Sequence, residues 1–312
     1  MTKTTTQDPS AFIASLYMNG LQGRMLRLPA PAHASREILL IYGHHSTLER
    51  WWGLAQEINQ YGAVTMPDLP GFGGMQSFYK IHEKPTIDNY ADYLAAFVKM
   101  RYPRRRVTIV AMSFGFVVAT RMLQRYPDIA KKVDVLVSTA GFSHYQDFKF
   151  SPRRLQAYRM LSRFMARRLP NVLFRSLALH PLLIRTLYTR GPNSKHKFAH
   201  LNGEEFARMV DYEVHLWHTN DARTHWETSA AMLYLNNCTG KRVDLPVWHI
   251  YAEGDQYFDR HTTEQHLRVI YSDYHDAVAK TKNHAPTRIE TAADAVDIIP
   301  SVVRKVLAKQ AA

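Results

Sequence analysis

The sequence has a single cysteine, Cys238, and therefore neither an intrachain disulfide nor a thiolate cluster for a metal. Long apolar runs are missing as well. None approaches the roughly 18 residues that read as a membrane-spanning helix, so an integral membrane protein is not expected. The segment from Met1 to Ser10 is polar and lacks the basic patch, apolar stretch and small-residue cleavage site of a secretory signal. These absences lead to the expectation of a cytoplasmic protein. Internal repeats and low-complexity segments are also lacking. A further gap is local: between Phe148 and Gly203 there is no Asp or Glu. The same stretch holds Lys149, Arg153, Arg154, Arg159, Arg163, Arg167, Arg168, Arg175, Arg185, Arg190, Lys195 and Lys197, and so supplies nearly all of the net charge of +13. A basic surface this concentrated favours anionic partners, whether lipid headgroups, nucleic acid or an acidic substrate.

At 312 residues and 46% hydrophobic content, the chain exceeds a typical single-core domain, and one large core with an inserted subdomain is expected. Short apolar runs rich in β-branched residues recur before Gly, Pro or Asp: Ile38 to Tyr42, Ala63 to Met66, Val107 to Ala111, Val133 to Ser138 and Val247 to Tyr251. Each is strand-length. Between them, Asn89 to Arg101, Val117 to Arg125 and finally Ala292 to Leu307 show helical spacing. This alternation predicts an α/β fold with a mostly parallel sheet covered on both faces, and ligands at the carboxyl ends of its strands.

The alternation breaks after Ser138 and resumes at Val247. From Ser151 onward Leu155, Tyr158, Leu161, Met165 and Leu169 are spaced for one apolar helix face, with Arg159, Arg163 and Arg167 on another. Pro170, Pro181 and Gly191-Pro192 divide the segment into several short helices. The expected organisation is a core in two parts, residues 20–142 and 243–312, around a helical cap at residues 143–242.

The strongest local signal is Val107-Thr-Ile-Val-Ala-Met-Ser-Phe-Gly-Phe-Val-Val-Ala119, an apolar strand that runs into Ser113 and then into a helical pattern. Small residues two before and two after the serine, Ala111 and Gly115, permit a tight turn that lifts its hydroxyl above the sheet edge. The competing reading is a serine that merely caps the helix. Two further strand ends accompany it: Ile38-Leu-Leu-Ile-Tyr-Gly-His-His-Ser46, followed by Trp51 and Trp52, and Pro67-Asp-Leu-Pro-Gly-Phe-Gly73.

With these segments in this order, the sequence resembles the α/β-hydrolase fold family, in its serine hydrolase branch with a helical cap, from about Arg36 to the C-terminal helix. The resemblance implies that backbone N–H groups of His44 and Phe114 form an oxyanion hole. It also implies a chain order of serine, acid, histidine. Val247-Trp-His-Ile-Tyr-Ala-Glu-Gly-Asp255 resembles the family's acid-bearing turn, with Asp259 as the rival acid; the resemblance puts Asp255 ahead, because family members carry the acid three residues after the small residue that ends this strand, here Ala252. Ala277-Val-Ala-Lys-Thr-Lys-Asn-His-Ala-Pro286 looks like the last strand and histidine loop, which makes His284 the base. The chain departs from the family at Tyr42, where a His often stands, and at Phe116, Ala252 and Asn283, where Gly is frequent. Phe116 either narrows the acyl side of the pocket or packs under the serine turn.

The other histidines read as structural or substrate-contacting: His44, His45, His249 and His275, with His45 a further residue that could line the pocket. His215 and His218 lack the companion spacing of zinc motifs, and neither metal nor cofactor is expected. The resemblance implies hydrolysis of a carboxylic ester or related acyl bond in a small-molecule substrate, through an acyl-enzyme intermediate. The alternative is a catalytically idle hydrolase-fold protein that binds anionic lipid or nucleic acid through its basic cap. For that cap three readings stand: a solvated helix face, peripheral contact with an anionic membrane, and, third because no recognised module accompanies the charge, nucleic-acid binding.

Overall fold

The computed structural model describes residues 8–190, 203–281, 284 and 288–309. Lys195, Lys197 and Asn283 lie outside these residues. The strands are β1 (Ile13–Met18), β2 (Leu21–Leu28), β3 (Arg36–Ile41), β4 (Gly62–Pro67), β5 (Val107–Met112), β6 (Val133–Thr139), β7 (Val243–Ala252) and β8 (Tyr271–Ala279). They form one sheet in the order β1-β2-β4-β3-β5-β6-β7-β8. From β4 to β8 every pairing is parallel, while β1 and β2 are antiparallel to their neighbours. Every residue of β3 and β5 is buried, as expected of central parallel strands covered on both faces. The five strand runs read from the sequence correspond to β3 through β7.

Between and after the strands lie α1 (Trp52–Asn59), α2 (Ile87–Arg101), α3 (Phe114–Arg125), α4 (Pro127–Ala130), α10 (Arg260–Ile270) and α11 (Ser301–Ala308), which pack on the sheet around a single large core. The final segment is not one helix from Ala292 to Leu307. A 3-10 turn at Ala293–Ala295 is followed, after Pro300, by α11, because Pro300 has no N–H to donate and its ring blocks the turn before it. The hairpin of β1 and β2 was not anticipated. Its turn is Asn19-Gly20, both residues with positive φ, 52° and 77°, as a two-residue hairpin turn demands.

Between β6 and β7 the chain forms a helical insertion: α5 (Pro152–Met165), α6 (Arg168–Leu173) continued by a π-helical turn at Phe174–Ala178, α7 (Pro181–Arg190), α8 (Gly203–Thr219) and α9 (Ala222–Leu233). Ser151 caps α5, accepting from the Arg154 N–H ahead of Pro152 at the first helical position, and Asp221 caps α9. Helix α9 is tied to the core: Asp221 N–H donates to Gly71 O, and Asn220 Oδ1 accepts from Gly73 N–H at 2.8 Å. The apolar stripe expected along α5 is only partly inward. Leu155, Tyr158 and Met165 are half-buried, but Leu161 and Leu169 are exposed, and Ser162 and Ala166 take the buried positions. Nor are the three arginines one free face: Arg159 lies over the rings of Tyr145 and Tyr234, and Arg163 over Tyr234.

Candidate active site

Ser113 sits between β5 and α3 with φ 47° and ψ −116°, a backbone conformation that a side-chain-bearing residue adopts only where its surroundings enforce it. The enforcement is local packing. A Cβ on Gly115 would lie 2.4 Å from Tyr42 O and 2.6 Å from Ile41 O, so only glycine lets α3 start this close to the end of β3. Ser113 carries no side-chain capping bond to the helix. Its Oγ instead lies 3.0 Å from His284 Nε2.

His284, in the loop after β8, places its Nδ1 2.7 Å from Asp255 Oδ2. A carboxylate only accepts, so Nδ1 carries the proton; a ring protonated there alone leaves Nε2 free to take one from Ser113, and a ring protonated at both nitrogens pairs its charge with Asp255. The other oxygen, Asp255 Oδ1, accepts from the N–H groups of Tyr257 (2.8 Å) and Phe258 (3.2 Å). Burial would raise the Asp255 carboxyl, but the bond and charge of His284 and these two N–H groups outweigh it and hold the group below the usual carboxylate range. The rings of Tyr257 and Phe258 pack edge-on to His284 at 5.5 and 5.1 Å. Asp259 goes elsewhere: it caps α10, its Oδ1 accepting from Thr262 N–H at 2.9 Å and the Thr262 hydroxyl at 2.8 Å.

The loop after β3 brings Gly43 and His44 beside the serine; a Cβ on Gly43 would stand 3.3 Å from Ser113 Cβ. Phe114 is the first residue of α3, so its N–H has no acceptor within the helix. The His44 ring is packed between Phe72, Phe114 and His225, and its Nε2 lies 2.8 Å from Thr228 Oγ1. That hydroxyl donates to Thr224 O, so it accepts from His44. Burial pushes the His44 pKa down to about 4, and the ring is neutral. His225 and Thr228 come from the insertion, and the sequence carries no local signal for a contact with His44 across 184 residues. Below the loop, the fully buried Tyr42 hydroxyl donates to Asp68 Oδ1 at 3.0 Å and accepts from Leu69 N–H at 2.7 Å. Tyr42 thus links the two strand-end loops.

The remaining expectations sort by location. His44 lines the cavity in front of Ser113, whereas His45 is buried against Trp217 and His225 and does not. His249 bonds Ser138 at 2.8 Å inside the core, and His275 pairs with Asp273 and stacks on Trp248. Phe116 packs under the turn against His249 and Tyr271 and is not part of the cavity wall. Among the described residues, no group of three or more His, Cys, Asp or Glu is arranged to hold a metal ion, and no helix is long and apolar enough to cross a membrane.

The cavity has a volume of about 850 Å³. It is lined by Ser113 and His284, by the packed rings of Phe142, Phe148 and Phe258, and by Tyr158, Leu187 and Tyr188 of the insertion. The strand order makes this convergence: the loops after β3, β5, β7 and β8 all leave the same, carboxyl edge of the sheet.

Solved structures share this fold at low identity. A hydrolase from Oleispira antarctica superposes with a TM-score of 0.66 at 12% identity, over 91% of this chain and 94% of its own. The enol-lactonase of Burkholderia xenovorans LB400 gives 0.62 at 12% identity, over 94% and 98%. A thermophilic esterase from Thermogutta terrifontis gives 0.60 at 15% identity, over 95% and 96%. Among curated proteins none matches the chain significantly. Residues 32–288 match the family described as serine aminopeptidase, S33, and the chain therefore belongs to this family of α/β-hydrolases.

Proposed function

We propose that the chain is a serine hydrolase that cleaves a carboxylic ester or related acyl bond of a small-molecule substrate through an acyl-enzyme intermediate. Ser113 is the nucleophile, His284 the base and Asp255 the group that orients it. The observation that carries this reading is the continuous hydrogen-bonded series from Ser113 Oγ through His284 to Asp255, at 3.0 and 2.7 Å. The serine proton passes to His284 Nε2 as Oγ attacks the acyl carbon; the imidazolium, stabilised by Asp255, returns that proton to the departing alkoxide. Water then repeats the sequence on the acyl-serine, releasing the acid and restoring the hydroxyl. The N–H groups of His44 and Phe114 hold the oxyanion, and losing one such donor costs about 2.7–4 kcal/mol of transition-state stabilisation.

The cavity wall favours an ester over a peptide amine. Among its described residues there is no Asp or Glu to receive an N-terminal ammonium, and its charged groups are Arg50 and Arg154. An apolar acyl chain suits Phe142, Phe148 and Phe258. In this reading residues 143–242 act as a cap over a core formed by residues 20–142 and 243–312. With Cys238 as its one cysteine, its thiol pushed up to about 11 by burial, the chain forms no intrachain disulfide and suits a reducing, cytoplasmic setting. Ser113→Ala and His284→Ala should each abolish turnover of p-nitrophenyl esters with unchanged circular dichroism. Full activity in either variant refutes the assignment.

A further inference from the structure

The outer side of the insertion reverses the usual pattern of a surface helix. Its buried positions include Ser162 on α5 and Asn171 on α6, while large aliphatic side chains face solvent. Leu169, Leu173 and Leu177, four residues apart, are 77%, 61% and 68% exposed, and Leu182 on α7 is 69% exposed. Of the 18 exposed large hydrophobic residues among those described, ten fall between Met160 and Leu187. A soluble lid has no physical reason to concentrate them there.

Arginines stand among these side chains. Arg167, Arg168 and Arg175 are exposed, and among the described cations of the acid-free stretch only Arg185 pairs with a carboxylate, Asp211 at 3.0 Å. The face is therefore apolar, cationic and electrostatically uncompensated. Leu187 joins it to the site: its side chain is largely exposed and also lines the cavity.

We propose that this face docks on a membrane leaflet containing anionic phospholipid, the leucines entering the acyl boundary and the arginines meeting the headgroups. The enzyme then takes its substrate, an ester with a lipid acyl chain, from that leaflet past Leu187. The substrate half rests on the serine hydrolase reading; the docking half does not. The composition favours a bilayer over nucleic acid, since exposed aliphatic leucines neither stack on bases nor contact phosphates. A protein partner would be met by an apolar surface but would leave the unpaired arginines without the dense negative charge of a headgroup layer.

The test is co-sedimentation of the Ser113→Ala protein, which leaves the lipid intact, with vesicles of phosphatidylcholine alone or mixed with phosphatidylglycerol. Binding should require phosphatidylglycerol and weaken with salt. Each arginine beside an anionic surface multiplies partitioning by about fivefold, so Arg167→Gln, Arg168→Gln and Arg175→Gln together should lower it on the order of a hundredfold. Leu169→Ser, Leu173→Ser and Leu177→Ser together should lower it by roughly tenfold or more. In the Ser113 background both triple sets should keep turnover of a short soluble ester within about twofold, since these residues lie outside the site. Absence of binding to either vesicle, binding unchanged in both triple variants, or retention of the protein by an oligonucleotide but not by vesicles would overturn the docking. Loss of soluble-ester turnover in the otherwise unaltered protein would overturn the hydrolase reading and leave the sedimentation result standing.

Discussion

Replacing Asp255 by Asn changes one atom, and the structure shows what that atom must do. Asp255 Oδ1 accepts two backbone N–H groups, so an asparagine there keeps its carbonyl oxygen towards Tyr257 and Phe258 and turns its NH₂ towards His284. Nδ1 of the ring must then accept, which moves the proton to Nε2, the atom 3.0 Å from Ser113 Oγ. The imidazole becomes a donor where catalysis needs an acceptor. In an equivalent arrangement this tautomer error costs about 10⁴-fold in kcat, or about 5.4 kcal/mol of barrier. Asp259→Asn is the matched control: it touches Thr262 and not the ring, and Asn caps a helix about as well as Asp, so its rate should stay within about twofold. The assay is kcat and KM on a p-nitrophenyl ester at neutral pH, with circular dichroism to verify folding. Asp255→Asn retaining a tenth or more of the activity, or Asp259→Asn losing about tenfold or more, would refute the reasoning.

Acidification should lower turnover, because only a neutral His284 ring accepts the serine proton; a rate that does not fall in acid contradicts that role. Stability should also fall with acid. Burial depresses His44 to about 4 and His249 to about 3, so the unfolded chain binds more protons below the ordinary imidazole range near 6.5. Thermal melting should therefore show stability declining from about pH 6.5 towards 4, by several kcal/mol at order of magnitude, and a melting temperature unchanged over that range would count against these buried neutral rings. Gly115→Ala should destabilise by at least about 1–3 kcal/mol and depress kcat, since its Cβ would sit 2.4 Å from Tyr42 O; chemical denaturation and ester kinetics read both. Tyr42→Phe should cost about 1–3 kcal/mol in the same denaturation experiment, because the buried Leu69 N–H loses its acceptor.

What the sequence made legible was what is local. The turn at Ser113 lies within a dozen residues of its strand and helix, and the five central strands are short apolar runs with clear punctuation. Asn19-Gly20 is an equally local hairpin signal, but its flanking strands interleave Ser15, Gln22 and Arg24 with apolar residues and stand at the sheet edge, where the pattern is weak. Pro300 is a breaker inside a run whose apolar spacing otherwise continues through it. The acid was separable from its rival only by distance: Asp255 and Asp259 are four residues apart, and which one meets His284 depends on how the loop after β7 turns. Periodicity located an apolar stripe on the insertion but carried no information about its direction, and Leu161 and Leu169 face solvent. The contacts of His44 with His225 and Thr228 were beyond reach, since they exist only once the insertion folds back over the sheet.

The central claim is that Ser113 is an activated nucleophile, and labelling by a fluorophosphonate probe tests it most directly. The native protein should form one adduct, mapped by mass spectrometry to the peptide containing Ser113, and His284→Ala should slow its formation by orders of magnitude, because the isolated hydroxyl is a poor nucleophile. Ser113→Ala should take up no probe. A native protein that remains unlabelled, or an adduct that persists at the same rate in Ser113→Ala, would contradict the account.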